Sequence, residues 1–188
     1  MLLPRRNLRF LNTLLEGTLS ADMHLRQLLL TERQRGWYAR MPMKPLPHRY
    51  DVQAHGEATG PVTLESPGLA PLSSGPPPHF DGPGDVWSPE TLFVAAVADC
   101  FILTFRGVAR ASAFAWNRLR CDAEGVLARV EGQLRFTEIT LRAQLEVPAA
   151  ADTERAERLL EKAERSCLIT ASLQSQVRLE SQVVRATV

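Results

Sequence analysis

The 188-residue chain carries 22 Lys and Arg against 21 Asp and Glu, a formal net charge of +1. That balance excludes a general electrostatic attraction to nucleic acid or to an anionic membrane, and a content of 45% hydrophobic and 23% charged residues excludes a disordered chain. Three cysteines, Cys100, Cys121 and Cys167, cannot all pair within one chain and lie far apart, so a disulfide-stapled secreted domain is excluded and reduced thiols in a cytoplasmic protein are expected.

Charge is uneven along the chain. Residues 1–45 hold eight basic groups (Arg5, Arg6, Arg9, Arg26, Arg33, Arg35, Arg40 and Lys44) against Glu16, Asp22 and Glu32, which leaves 14 basic and 18 acidic groups for the rest. We read residues 1–45 as a basic N-terminal extension and residues 46–188 as one domain. The longest apolar run of the extension, Leu28-Leu29-Leu30, is well short of the roughly 7–15 residues of a secretory signal. An amphipathic helix through Leu11, Leu14, Leu15, Leu25, Leu28 and Leu29 fits a targeting peptide, an anion-binding arm or a docking helix. The plainest reading is a tail without catalytic importance, ahead of a true start at Met41 or Met43.

The domain then reads in order. His48 to His55 alternates in polarity as a strand does, and Pro61 to Ser66 reads as its antiparallel partner. From Ser73 to Val86 seven glycines and prolines (Gly75, Pro76, Pro77, Pro78, Gly82, Pro83, Gly84) predict a long loop without periodic structure. Ser88, Pro89 and Glu90 then form a helix start: a cap, a proline that fits the first turn, and a carboxylate where the macrodipole favours it. The helix that follows has almost no polar face from Leu92 to Leu103, which predicts that protein encloses it on every side. Leu92 to Phe105, interrupted by Asp99, falls short of the roughly 20 apolar residues of a membrane span.

A long hairpin follows, with its turn at Glu131-Gly132. Its return strand switches its apolar positions from even (Leu134, Phe136) to odd (Ile139, Leu141, Ala143, Leu145, Val147), which predicts a bulge near Thr137 and Glu138. Pro148 ends that strand. Asp152 caps a second helix with the stripe Ala156, Leu159, Leu160, Ala163, a short helical segment begins near Cys167, and a last strand carries Val177, Leu179 and Val183. At that helix start the Cys167 thiol is expected to be accessible, with a lowered pKa. The order ββαββαβ is α+β, a sheet wrapped around a buried helix.

Familiar catalytic patterns fail on this chain. There is no Cys-x-x-Cys, no metal-ligand spacing among the histidines and cysteines, no phosphate loop and no Gly-x-Ser-x-Gly turn. A single cysteine in an apolar helix is, by residue statistics, more often an inert small hydrophobe than a nucleophile.

A resemblance changes that balance. Ser88-Pro89-Glu90-Thr91-Leu92-Phe93, followed by Ala98-Asp99-Cys100-Phe101 and, 67 residues after Cys100, by Ala163-Glu164-Arg165-Ser166-Cys167, is similar to the two-part signature of the OsmC/Ohr family. These are the osmotically inducible protein C and organic hydroperoxide resistance proteins, and the resemblance covers residues 46–188. It implies an OsmC-like α+β fold of antiparallel sheets around a central helix, an intertwined homodimer, and a cofactor-free, metal-free thiol peroxidase acting on organic hydroperoxides. In that reading Cys100 is peroxidatic and Cys167 resolving, and a small or protein dithiol is the reductant. No nucleic acid or membrane partner is implied. Apolar burial raises a thiol's pKa, so a cation must oppose it; the family uses an arginine paired with the Pro-Glu glutamate, here Glu90.

Three departures stand out. His79-Phe80-Asp81-Gly82 has histidine where the OsmC branch has that arginine, Ala58-Thr59-Gly60-Pro61 lacks the arginine of the Ohr branch, and Leu168 stands where many members have proline. His79 is therefore the candidate arginine substitute. Glu90 and Cys100, ten residues apart on one helix, are separated by about 15 Å, so Glu90 must act through a bridging cation or serve Cys100 of another subunit. Phe80, Trp87, Phe93 and Phe101 are the candidate lining of a substrate pocket. The same aromatics fit a non-catalytic module that binds an apolar ligand. A transferase or hydrolase acting on a carbon electrophile is a third alternative, one for which no base or oxyanion arrangement is visible. Cys121 reads as core.

Overall fold

A computed structural model describes residues 44–186; the readings made for residues 1–43, including the amphipathic helix and the start at Met41 or Met43, fall outside them. The chain divides between Tyr50 and Asp51. In the short described stretch before that point, His48 Nε2 lies 2.9 Å from the Lys44 carbonyl oxygen. The larger unit begins at Asp51.

Three short strands come first. β1 (Gln53–His55), β2 (Val62–Glu65) and β3 (Leu72–Ser74) form an antiparallel sheet in that order, with Ala54 opposite Leu64 and Leu64 opposite Leu72. The expected strand from His48 contracts to Gln53–His55. β3 corrects the expectation of a structureless loop from Ser73: Ser73 and Ser74 pair with Thr63 and Val62 before the breakers begin. Beyond it, Gly75 donates its N–H to the Trp87 carbonyl (2.8 Å) and Pro78–Phe80 close one 3₁₀ turn. Gly82 is obligatory there, because a Cβ would lie 1.7 Å from the Pro76 carbonyl oxygen.

Helix α1 (Pro89–Ala111) begins as its sequence dictates. Ser88 Oγ accepts the Thr91 N–H (3.1 Å) and the Ser88 N–H donates to Thr91 Oγ1 (2.8 Å), a reciprocal cap that contributes about 1 kcal/mol. The helix buries one stripe, Val97, Phe101, Phe105 and Ala109. Its opposite face is open: Ala96 and Asp99 are exposed, and Leu103 is 45% exposed. Enclosure on every side is thus not supplied by one chain. By length and composition α1 also suffices to cross a membrane, contrary to the sequence count. Its buried stripe belongs to the hydrophobic core, and the helix packs against β4 and α2, both described next.

β4 (Arg118–Val130) and β5 (Gln133–Val147) form the long hairpin. Its two-residue turn has Glu131 at φ 51 and Gly132 at φ 82, the left-handed pair that matches strand twist. Val126 pairs with Glu138 and Leu127 with Phe136, so Thr137 is the extra, bulged residue that moves the apolar set from even to odd positions. Downstream of it Ile139, Leu141, Ala143, Leu145 and Val147 all face the core, while Arg142 on the outer face is held by Glu124 (2.8 Å) and Glu180 (3.2 Å).

α2 (Thr153–Arg165) starts where Asp152 Oδ1 accepts the Arg155 N–H (3.0 Å), and its stripe of Ala156, Leu159, Leu160 and Ala163 is buried. The four-residue helix α3 (Leu168–Ala171) follows, then β6 (Gln176–Arg185). β6 runs parallel to β5, with Ile139 opposite Val177 and Leu145 opposite Val183, so this sheet is not wholly antiparallel as expected. The crossover through α2 and α3 has the length a parallel return needs. The architecture is α+β, two three-stranded sheets with a long central helix.

Candidate active site

α1 delivers Cys100 to one side of the core, and the junction between α2 and α3 delivers Cys167 to the same place. Ala163 on the buried stripe lets α2 approach α1 closely, and α1 also contacts α3. Cys167 is the N-cap residue of α3 and is fully buried; its carbonyl accepts the Thr170 hydroxyl (3.0 Å). Cys100 is partly exposed.

The two thiols act on each other and are shifted in opposite directions. Burial pushes Cys100 up, yet the Cys167 thiol, the Ile169 N–H, the Thr104 hydroxyl (3.9 Å from Sγ) and the Leu168 N–H all favour its thiolate and together hold it below the ordinary cysteine value. Burial pushes Cys167 up and its bond to Cys100 adds to that, against the opposing pull of Thr170. Cys100 is therefore the thiol favoured to ionise, and Cys167 the one favoured to stay protonated.

That ordering corrects one expectation. The start of α3 was expected to lower Cys167 and make it accessible; its amides face Cys100 instead, and Cys167 has no exposed surface. Cys121 lies opposite Ala143 on the core side of the sheet, and burial, with Asp122 beside it, pushes its thiol up to about 11. It stays protonated.

Glu90 and His79 meet elsewhere. They line a cavity of about 620 Å³ between the start of α1, the 3₁₀ turn and the β4–β5 hairpin. The unbroken helix from Pro89 to Ala111 keeps Glu90 about 15 Å from Cys100 of the same chain, and neither Glu90 nor His79 is among the groups acting on Cys100. Glu90 Oε2 is buried without a hydrogen-bond partner.

Of the four candidate aromatics, Phe80 lines this cavity. Phe93 stacks on Phe136, ring centroids 4.8 Å apart, and it is Phe136 that forms the wall. Trp87 is 48% exposed and engages β3 through its backbone. Phe101 is withdrawn from the candidate lining: it has no exposed surface, because it points along the buried stripe of α1 into the core.

Sequence reasoning missed four contributors. Thr104 stands one helical turn from Cys100, and that i, i+4 spacing was a usable signal. The Leu168 and Ile169 amides carried none. Gly125, in mid-strand, marks a close approach: a Cβ there would lie 2.7 Å from Val94 Cγ2 and 2.9 Å from Phe136 Cε1. Among the described residues, no group of three or more His, Cys, Asp or Glu is placed to hold a metal ion.

The chain is similar to known proteins in sequence and in fold. A family model described as OsmC-like protein matches residues 82–182. Uncharacterized protein YmaD of Bacillus subtilis (strain 168) is 28% identical over 138 residues, covering 71% of this chain and 91% of YmaD. An OsmC-like protein of unknown function from Vibrio cholerae superposes with a TM-score of 0.66 at 20% identity, over 72% of this chain and 100% of that one. An organic hydroperoxide resistance protein OsmC from Legionella pneumophila gives a TM-score of 0.60 at 25% identity, over 74% and 98%. The matched segment runs from the loop beneath the cavity, through both cysteines of the pair, into β6 and takes in more than half of the chain: the protein belongs to the OsmC-like family.

Proposed function

We propose that this protein is a cytoplasmic thiol peroxidase that reduces organic hydroperoxides to alcohols in oxidative-stress defence. The observation that carries the reading is the convergence of Cys100 on α1 and Cys167 at the α2–α3 junction beside it, with the two thiols shifted in opposite directions and Cys100 favoured as thiolate. The Cys100 thiolate attacks the distal peroxide oxygen; the O–O bond breaks, the alkoxide takes a proton and leaves as the alcohol, and Cys100 becomes a sulfenic acid. The Cys167 sulfur then attacks that sulfur as its own proton goes to the departing hydroxyl, so that water leaves and a Cys100–Cys167 disulfide forms. A small or protein dithiol reduces the disulfide by exchange and restores both thiols. The family relative named as an organic hydroperoxide resistance protein in Legionella pneumophila supports the substrate class.

The open face of α1 supports a homodimer, since Leu103 lies exposed in the middle of an apolar helix. A second copy would also bring a cysteine to Glu90, which its own helix holds away from Cys100, and to His79 beside it. We retain residues 46–188 as the functional domain.

The absence of arginine and lysine from the residues lining the 620 Å³ cavity favours a second reading, a weakly active or non-catalytic module that binds an apolar ligand. Steady-state turnover of cumene hydroperoxide with dithiothreitol separates the two. The peroxidase reading expects turnover by the wild type, none by Cys100→Ser, and sulfenic acid accumulation followed by over-oxidation in Cys167→Ser. No turnover by the wild type would leave the binding module.

A further inference from the structure

The 620 Å³ cavity is lopsided in its chemistry. Val94, Ala98, Ala123, Leu127 and Phe136 give it hydrocarbon walls, and its size lies within the range of small-molecule sites. At one end stands Glu90, with Oε2 buried and unpartnered, the one such side-chain atom found among the described residues. Its polar neighbours do not offer it a bond. Ser88 and Thr91 are committed to each other in the helix cap, and His79, on the 3₁₀ turn, is exposed and makes no hydrogen bond to Glu90. No cationic side chain other than His79 is among the lining residues. A buried carboxylate oxygen without a donor, at the end of an apolar slot, selects for a ligand that brings the donor with it.

We propose that this cavity is a binding site for an amphipathic amine: an apolar body lying along Val94, Ala98 and Phe136, with an ammonium or other N–H donor bonded to Glu90 Oε2. The same carboxylate repels a fatty-acid headgroup, so the site discriminates by headgroup charge among chains of equal length. This goes beyond the peroxidase reading and does not depend on it, since the cavity takes such a ligand whether or not Cys100 turns over peroxide.

The test is displacement of the neutral dye Nile red from the full chain by dodecylamine, dodecanol and dodecanoate at pH 7, each below its micelle concentration. Dodecylamine should displace the dye at a concentration about tenfold or more below dodecanoate, with dodecanol between them, about 1.4 kcal/mol per tenfold step. Glu90→Gln should erase the amine's advantage while keeping dodecanol binding, and Ala98→Leu, which fills the slot, should weaken all three. Displacement is read on the wild-type protein without peroxide, so a protein inactive toward peroxide still tests the site. Equal affinity for amine and acid, an amine preference that survives Glu90→Gln, or no displacement by any of the three would overturn the proposal.

Discussion

The two sheets of this protein are built to different standards. In β4–β5–β6 the inward residues of β5 alternate without a break from Ile139 to Val147, and all five lie in one core with the buried stripes of α1 and α2. In β1–β2–β3 the strands are three, four and three residues long, β1 is exposed along its whole length, and no apolar side chain is fully buried. The first sheet completes a core within one chain; the second is too short and too bare to stand by its own packing. The same contrast runs along α1, buried on the stripe of Phe101 and open along Ala96, Asp99 and Leu103. What the difference teaches is where a single chain stops being sufficient: the thiol pair sits on the self-sufficient side, and Glu90 and His79 sit toward the incomplete one.

The largest effect should come from the complete side. Phe101→Ala removes a fully buried ring from the core and should cost about 3–5 kcal/mol in urea unfolding. Leu64→Ala, in the bare sheet, should cost about 1 kcal/mol or less at low protein concentration. If a second copy covers that sheet, its cost should grow as concentration rises. Equal costs for the two variants at all concentrations would erase the distinction between the sheets.

Next comes the open face of α1. Leu103→Asp puts a charge in the middle of that face without touching the buried stripe, and sedimentation at micromolar concentration should show the wild type as a dimer and the variant as a monomer that keeps its helical circular dichroism. A wild-type monomer would remove the role given to the second copy.

Much of the complete side could be read from the sequence, because its signals are local. The cap at Ser88, the turn at Glu131-Gly132, the bulge at Thr137 and the stripe of α2 each rest on residues within a few positions of one another. β3 could not be read, since Leu72–Ser74 abuts a run of prolines and becomes a strand only through β2. The parallel direction of β6 is likewise fixed by the crossover and not by its own alternation. At the site, the family resemblance named Cys100 and Cys167 but not the side from which the amides of Leu168 and Ile169 approach, so the thiol expected to be lowered was the wrong one. Phe101 failed as a pocket residue for a related reason: composition marks a helix as apolar all round without saying which stripe meets the core.

The smallest effect sharpens the asymmetry of the thiols. Thr104→Val removes one of the groups that hold Cys100 below the ordinary cysteine value, so its pKa should rise and less thiolate should be present at a given pH. The pH profile of Cys100 alkylation by iodoacetamide should then move to higher pH by a few tenths of a unit, while Cys121, pushed up to about 11, stays unreactive in both proteins. A profile that does not move would mean the hydroxyl contributes nothing.

The central claim is that Cys100 and Cys167 form one redox couple. Treating the reduced protein with one equivalent of cumene hydroperoxide and mapping its peptides tests this most directly. The account predicts the loss of two free thiols, a single intramolecular Cys100–Cys167 disulfide, and Cys121 recovered unmodified. A disulfide that contains Cys121, or continued peroxide consumption with no disulfide formed, would contradict it.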